Sequence, residues 1–324
     1  MMSAFRPADV QLFVGFAAAL LAWLVCGFVL SRTTSSVWVP RLAWAVLVVG
    51  GVGIEALFAS EPPGARMLVL IVFTLSTLKI IVVARERARG MPALSFAAWL
   101  GFSVAWLGMS PRVFTSYGSA PLEDARSMLR RGAVCFAIGA GFVGLARGVW
   151  IATESQFAAT VPLLIGLSLL LHFGIGTFLA GAWRQCGVPV SAVFQAPLRS
   201  TSLAEFWSRR WNLGFSEMTA MLIYRPLSAR VGRSAALIAG FVWSGLLHEM
   251  AISVPVRAGF GLPSLYFLLH GGLVWVERRL SKAGHPLSAG WGRAWSLLWV
   301  SMPLPLLFHP PFLSGVVWPL IGIH

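Results

Sequence analysis

The chain has 324 residues, of which 57% are hydrophobic and 11% charged, with a mean hydropathy of +0.79. Soluble domains carry roughly 25% charged residues, so this composition excludes an ordinary soluble protein and places the chain in a membrane. The formal net charge of +14 reads as loop arginine concentrated on one side of a bilayer. No segment between the apolar runs is long enough to build the basic soluble surface that a nucleic-acid partner needs.

The first run, residues 10–30, holds 21 residues with Gln11 as its one polar side chain. At about 1.5 Å per residue such a helix crosses a hydrocarbon core of roughly 30 Å. It is too long for a signal-peptide core and lacks an A-x-A site. Leu24-Val25 before Cys26 does not suit a lipoprotein cleavage, so a retained first span is expected. Further apolar runs predict helices over 42–59, 67–84, 133–152, 161–183, 235–253, 262–276 and 294–308. Weaker candidates are 94–108, 213–224 and 312–323. Only helices or closed barrels satisfy the backbone in lipid, and no period-two alternation supports a barrel. The expected fold is an all-α polytopic membrane protein with about eight or nine transmembrane helices plus re-entrant or interfacial helices, in a single domain covering 1–324. Cys26, Cys135 and Cys186 show no C-x-x-C spacing, so neither a disulfide framework nor a zinc site is expected.

Loop charge orients this map. With the N-terminus external, and with 94–108 and 213–224 not crossing, 20 basic residues from Arg32 to Arg293 fall on the cytoplasmic side. Only Arg6, Arg66, Arg147 and Arg257 fall outside. Lys79 lies within a span and is expected to snorkel towards its cytoplasmic end. This asymmetry is strong orientation evidence, and it assigns the segment around Asn212 to the cytoplasmic side.

Asn212 is the only asparagine in the chain. It closes Phe206-Trp207-Ser208-Arg209-Arg210-Trp211-Asn212. Ser202-Leu203-Ala204-Glu205 is a capping box, so a helix should start at Leu203. On a continuous helical wheel Leu203, Trp207, Trp211, Phe215 and Met218 share one face, and Glu205, Arg209, Asn212 and Ser216 the other. The same pattern would serve an interfacial helix with aromatic anchors and snorkelling arginines. Thirty-six residues later His248 ends an apolar run, continuing the row Ala236, Gly240, Ser244. Small residues at that spacing admit close helix approach. An ionisable group within a membrane is costly and usually functional, although a hydrogen-bonded core histidine is the plainer alternative.

His248-Glu249 invites a zinc-protease reading, but the second histidine that this needs four residues on is Ile252. His172 and His270 lie in apolar runs with no polar motif nearby and are expected to be structural. His285 falls in a loop, and His309 and His324 near the end of the chain. No metal site is expected. What remains is a candidate base, His248, near a polar segment. A neutral imidazole can take a proton from a hydroxyl as it attacks a carbonyl, and an amide such as that of Asn212 can hold an acceptor or a developing oxyanion. Glu249 could tune His248 or pair with an arginine.

Phe206-Trp207-Ser208-Arg209-Arg210-Trp211-Asn212 followed by Ser244-Gly245-Leu246-Leu247-His248-Glu249 resembles the membrane-bound O-acyltransferase superfamily, and more narrowly its wax synthase branch. The match covers about 50 residues, with weaker echoes at 106–111 and 309–312. The resemblance implies a multi-helix fold with a membrane tunnel and transfer of a fatty acyl group from acyl-CoA to a long-chain or other lipid-like alcohol. It implies catalysis by His248 with Asn212, and a substrate site shaped by Phe206, Trp207, Arg209, Arg210, Trp211, Ser244 and Glu249. The sterol and diacylglycerol branches carry an acid where Arg209 stands, which favours the wax-synthase type. The implied partners are acyl-CoA as co-substrate, an alcohol acceptor and membrane lipid, with no resident cofactor and no nucleic acid. The expected setting is a multi-pass bacterial inner membrane with the site's mouth on the cytoplasmic side. A polytopic lipid or ion transporter and a non-catalytic acyl-lipid-binding relative are the alternatives.

Overall fold

A computed structural model describes residues 3–32 and 38–323, all but three of the chain's ends and one short loop; His324 lies outside them. Among the described residues the regular structure is helical throughout. Helix α1 (Val10–Ser31) opens where the Asp9 carboxylate accepts from Leu12 N at 3.1 Å, the usual way to satisfy a first-turn donor. α2 (Trp38–Leu57) and α3 (Pro63–Ala88) follow, the latter with proline in its first turn, where no backbone donor is lost. α4 (Phe96–Ala105) is short. α5 (Ala125–Thr153) and α6 (Gln156–Gln185) form a long antiparallel pair.

The second half contains a short helix over residues 203–210 (α7), a long bent helix Leu213–Val256 (α8), α9 (Leu262–Lys282) and α10 (Ala289–Ser301). Six helices among the described residues are long and apolar enough to cross a membrane, or seven if Ala289–Leu307 and Pro310–Ile321, bent by 69°, form one span. The sequence pattern pointed to eight or nine. The difference lies in α9, whose last two turns carry Glu277, Arg278, Arg279 and Lys282, and in the 294–308 run, which divides at Pro303. The chain is an all-α polytopic membrane protein.

The chain packs as two compact units, 1–192 with 316–324, and 193–315. In the first, α4 has ten residues and cannot cross, as expected. Lys79 does not snorkel. It is buried and donates to the carbonyls of Phe102 and Trp106 at the C-terminal end of α4, where a cation meets the negative end of the helix dipole. Glu55, the acid lying within an apolar run, pairs with Arg66.

In the second unit the fold departs from the wheel. Gly232 interrupts α8 with φ 84° and ψ 165°, a conformation essentially confined to glycine. The chain reverses there. Thr219 lies against Gly240, with its Cγ2 3.3 Å from where a Cβ on Gly240 would stand. Residues 21 apart on a straight helix would be separated by roughly 30 Å, so α8 is a helical hairpin with arms 213–231 and 233–256. The expected short segment 213–224 is thus the first part of a longer arm. The second arm runs antiparallel to α9, where Gly245 packs backbone to backbone on Ser264 and Phe241 on Gly271. Lipid supplies little hydrophobic drive between helices, so such close approaches and interhelical hydrogen bonds hold a bundle together. Leu203, Leu237, Phe241, Tyr266, Phe267 and Val274 form the buried core of this unit.

Candidate active site

The site is built within the second unit by α7, the α8 hairpin and α9. Ser202 caps α7 as the capping box predicts, its Oγ accepting from Glu205 N at 3.0 Å. The other half of the box is replaced. Glu205 Oε2 accepts from the Thr201 backbone at 2.8 Å and from its hydroxyl at 2.9 Å, and Oε1 takes the Arg210 guanidinium at 2.6 Å. The Thr201 N–H is the largest of the effects that hold the Glu205 carboxyl below its ordinary value, with the Thr201 hydroxyl and Arg210 adding to it against the opposing effect of burial. The first two donors of α7, Leu203 N and Ala204 N, are met by Glu277 of α9 at 2.8 and 2.9 Å.

The continuous helix over 203–218 does not form. Residues Phe206–Arg210 widen into a π turn, Trp211 is extended, and Asn212 is left-handed at φ 46° and ψ 59°. Asparagine tolerates this region better than most residues. Asn212 then caps the first arm of α8, its Oδ1 accepting from Phe215 N at 3.4 Å. A backbone N–H needs an acceptor, which assigns the oxygen and leaves the Nδ2 amide as a donor without a protein partner among the described residues. The break is held from both sides: Leu213 N donates to Val193 O at 2.9 Å, Gln195 N to Arg210 O at 2.7 Å, and Ser216 Oγ to Trp207 O at 2.5 Å.

The hairpin sets the register of the two chemical residues. Seven residues back from Thr219 stands Asn212, and seven on from Gly240 stands Leu247, next to His248. Asn212 and His248 therefore share a level of the hairpin. No hydrogen bond joins them among the described residues. His248 Nδ1 lies 2.7 Å from the Ser244 carbonyl. A carbonyl only accepts, so Nδ1 carries the proton and Nε2 keeps its lone pair. The ring packs on Phe267 of α9 at 4.3 Å.

Phe267 joins His248 to Trp207. The Trp207 ring lies 5.5 Å from Phe267, 5.3 Å from His270, 6.1 Å from Phe241 and 6.4 Å from Tyr266. The remaining expected site residues divide. Phe206 and Trp211 stack on one another at 5.6 Å and brace the turn. Ser244 turns its hydroxyl to Gly240 O at 3.1 Å and serves the histidine through its carbonyl. Arg210 is spent on Glu205 and lies near the carbonyls of Gln195 and Ala196. Arg209 is exposed. Glu249 receives Gly261 N at 2.9 Å and Ser264 N at 3.0 Å through one oxygen, capping α9. Sequence reasoning missed Glu277, Phe241 and Phe267, and expected a structural role for His270, which lies under Trp207. Their signal is tertiary: Glu277 is 74 residues from the donor it meets.

An imidazole with an accepting Nε2 in an apolar helical unit, level with an amide donor and walled by aromatic rings, makes a candidate proton-transfer centre in an all-α polytopic membrane protein. Residues 190–269 match the model of the membrane bound O-acyl transferase family. The "Long-chain-alcohol O-fatty-acyltransferase" of Simmondsia chinensis is 30% identical over 147 residues, 40% of this chain and 41% of that protein. In Arabidopsis thaliana, "Probable long-chain-alcohol O-fatty-acyltransferase 7" is 35% identical over 94 residues, 26% and 28% of the two chains. "Acyl-CoA--sterol O-acyltransferase 1" is 30% identical over 97 residues, 28% of each. The chain thus spans less than half the length of the curated relatives it matches. Over residues 190–269 the chain is similar to the membrane bound O-acyl transferase family, and over a wider stretch to long-chain-alcohol O-fatty-acyltransferases.

Proposed function

We propose that this protein is an acyl-CoA-dependent O-acyltransferase that esterifies a long-chain or other lipid-like alcohol. The observation that carries this reading is the tautomer of His248: with Nδ1–H donated to Ser244 O, Nε2 is an acceptor. In the reaction Nε2 takes the proton of the alcohol as its oxygen attacks the thioester carbonyl carbon. The tetrahedral oxyanion collapses, the C–S bond breaks, and the leaving thiolate takes the proton from the imidazolium. The products are an ester and the free thiol of CoA. The Nδ2 amide of Asn212, whose Oδ1 is committed to its cap, is the donor for the acceptor hydroxyl or the thioester oxygen. Trp207 and the rings beside it shape the apolar part of the site. Exposed Arg209 suits the CoA phosphates better than Arg210, which is held by Glu205.

The relatives' printed activities, on long-chain alcohols and on a sterol, support the ester chemistry and leave fatty alcohol as the first acceptor to try. Loop arginine up to Arg210, before the hairpin carries Arg225, Arg230 and Arg233 to the opposite end of its arms, supports entry of CoA from the cytoplasmic side of an inner membrane. The test is ester formation by the purified protein supplied with acyl-CoA and long-chain alcohols. His248→Ala should lose activity by about 10²–10⁴-fold, the usual scale of a general base. Undiminished ester formation by that variant would overturn the role of His248.

A further inference from the structure

We propose that Glu249 and His309 form one buried acid–imidazole pair, joined through a single water, and that this pair positions His248. The positioning role rests on the reading of His248 as the base. Glu249 directly follows His248, and its Oε1 is occupied by the first-turn donors of α9, Gly261 N and Ser264 N. Its second oxygen, Oε2, is buried and has no partner among the described residues.

His309 is 1% exposed. Its Nδ1 accepts from Phe312 N at 3.3 Å, so the neutral ring carries its proton on Nε2. That N–H is also buried and without a partner among the described residues. A buried acceptor and a buried donor each left unpaired are costly, and His309 lies within electrostatic reach of Glu249. Both side chains grip the same loop. The His309 ring is pressed against Gly259, with Nε2 2.5 Å from where a Cβ would stand, while Glu249 holds Gly261 two residues on.

This loop joins the second arm of α8 to α9. Locking it keeps Gly245 on Ser264 and the His248 ring on Phe267. The pair therefore sets the direction of His248 Nε2 without touching substrate.

The experiment compares the full-length protein with Glu249→Gln, His309→Asn and the double variant. Gln keeps an oxygen for Gly261 N and Ser264 N but turns an amide donor towards the His309 N–H. Asn keeps an acceptor for Phe312 N but is too short to reach Glu249. Each single variant should lower kcat by about tenfold or more, as small misplacements at a reacting centre do, with KM for both substrates within about twofold of wild type. The thermal midpoints of the singles should be non-additive in the double. Additive midpoints overturn the pair, and coupled midpoints with unchanged kcat overturn its positioning role. Should His309→Asn not fold, an unchanged kcat in Glu249→Gln overturns the proposal. The midpoints are read without turnover, so a protein inactive on every alcohol would sink the proposed function while coupled midpoints still supported the pair.

Discussion

His248 donates Nδ1–H to the carbonyl of Ser244, one helical turn back, at 2.7 Å. This bond holds the ring along its own helix and leaves Nε2 as the basic nitrogen. Residue 244 therefore acts through its backbone, and its side chain is expendable. Ser244→Ala should keep kcat within about threefold of wild type, on the scale of a surface-like change, whereas His248→Ala should not. A loss in Ser244→Ala as large as that of His248→Ala would place the serine hydroxyl in the chemistry.

Asn212 combines a left-handed backbone, a helix cap and a free amide donor, and three substitutions separate them. Asn212→Asp keeps the cap acceptor and removes the Nδ2 donor. Its thermal midpoint should stay near wild type while ester formation falls by about 10–10³-fold, the range for loss of an oxyanion donor and below. Asn212→Gly relieves the backbone and should cost only a few tenths of a kcal/mol in capping. Asn212→Ala should destabilise by about 1 kcal/mol for the cap and about 1–2 kcal/mol for the left-handed backbone. Full activity in Asn212→Asp would remove the amide from the mechanism.

Gly232 closes the hairpin in a backbone region that side chains avoid. Space is not the obstacle, since a Cβ there meets nothing within 4 Å. Gly232→Ala should therefore lose about 1–3 kcal/mol from backbone strain alone, read as a lower unfolding midpoint in detergent. Because Asn212 and His248 depend on the hairpin for their shared level, residual folded Gly232→Ala should also turn over more slowly.

Glu205 gives a pH-dependent contribution whose sign is set by its depressed carboxyl. The folded state favours the ionised form, so the stabilisation is fully present above the ordinary carboxylate value of about 4.3. It fades as pH falls through the lower folded value. The wild-type midpoint should drop on acidification below that range, and Glu205→Gln should start lower at neutral pH and show a smaller drop. Parallel pH curves for the two proteins would refute this assignment.

Glu277 meets Leu203 N and Ala204 N from another helix. Replacing it with Ala should cost about 1 kcal/mol or more, as loss of a helix cap does, with a further loss because a negative charge at a helix N-terminus is favourable. The expected readout is a lower unfolding midpoint together with weakened packing of Trp207, visible as a change in tryptophan fluorescence. An unchanged midpoint would show α7 to be held without Glu277.

Composition and period alone indicated the medium, the helical class and most of the long apolar segments, because lipid forces backbone bonds inside each segment and local apolar runs record that directly. The Ser202 cap and the row leading to His248 are local too, and both stand as read. The sequence separates 213–224 from 235–253, but the reversal at Gly232 that lays one against the other is not local. The left-handed turn at Asn212 breaks a wheel that looked continuous, and it is held by bonds to Val193 and Gln195 on a separate strand of chain. Glu277 and Glu249 are invisible as caps from sequence, since a carboxylate can reach backbone donors 74 or 12 residues away and leaves no periodic mark at either end. The candidate base was legible because burying an ionisable side chain in an apolar run is itself unusual. Its level with Asn212 and the aromatic wall around it were decided only when the helices packed.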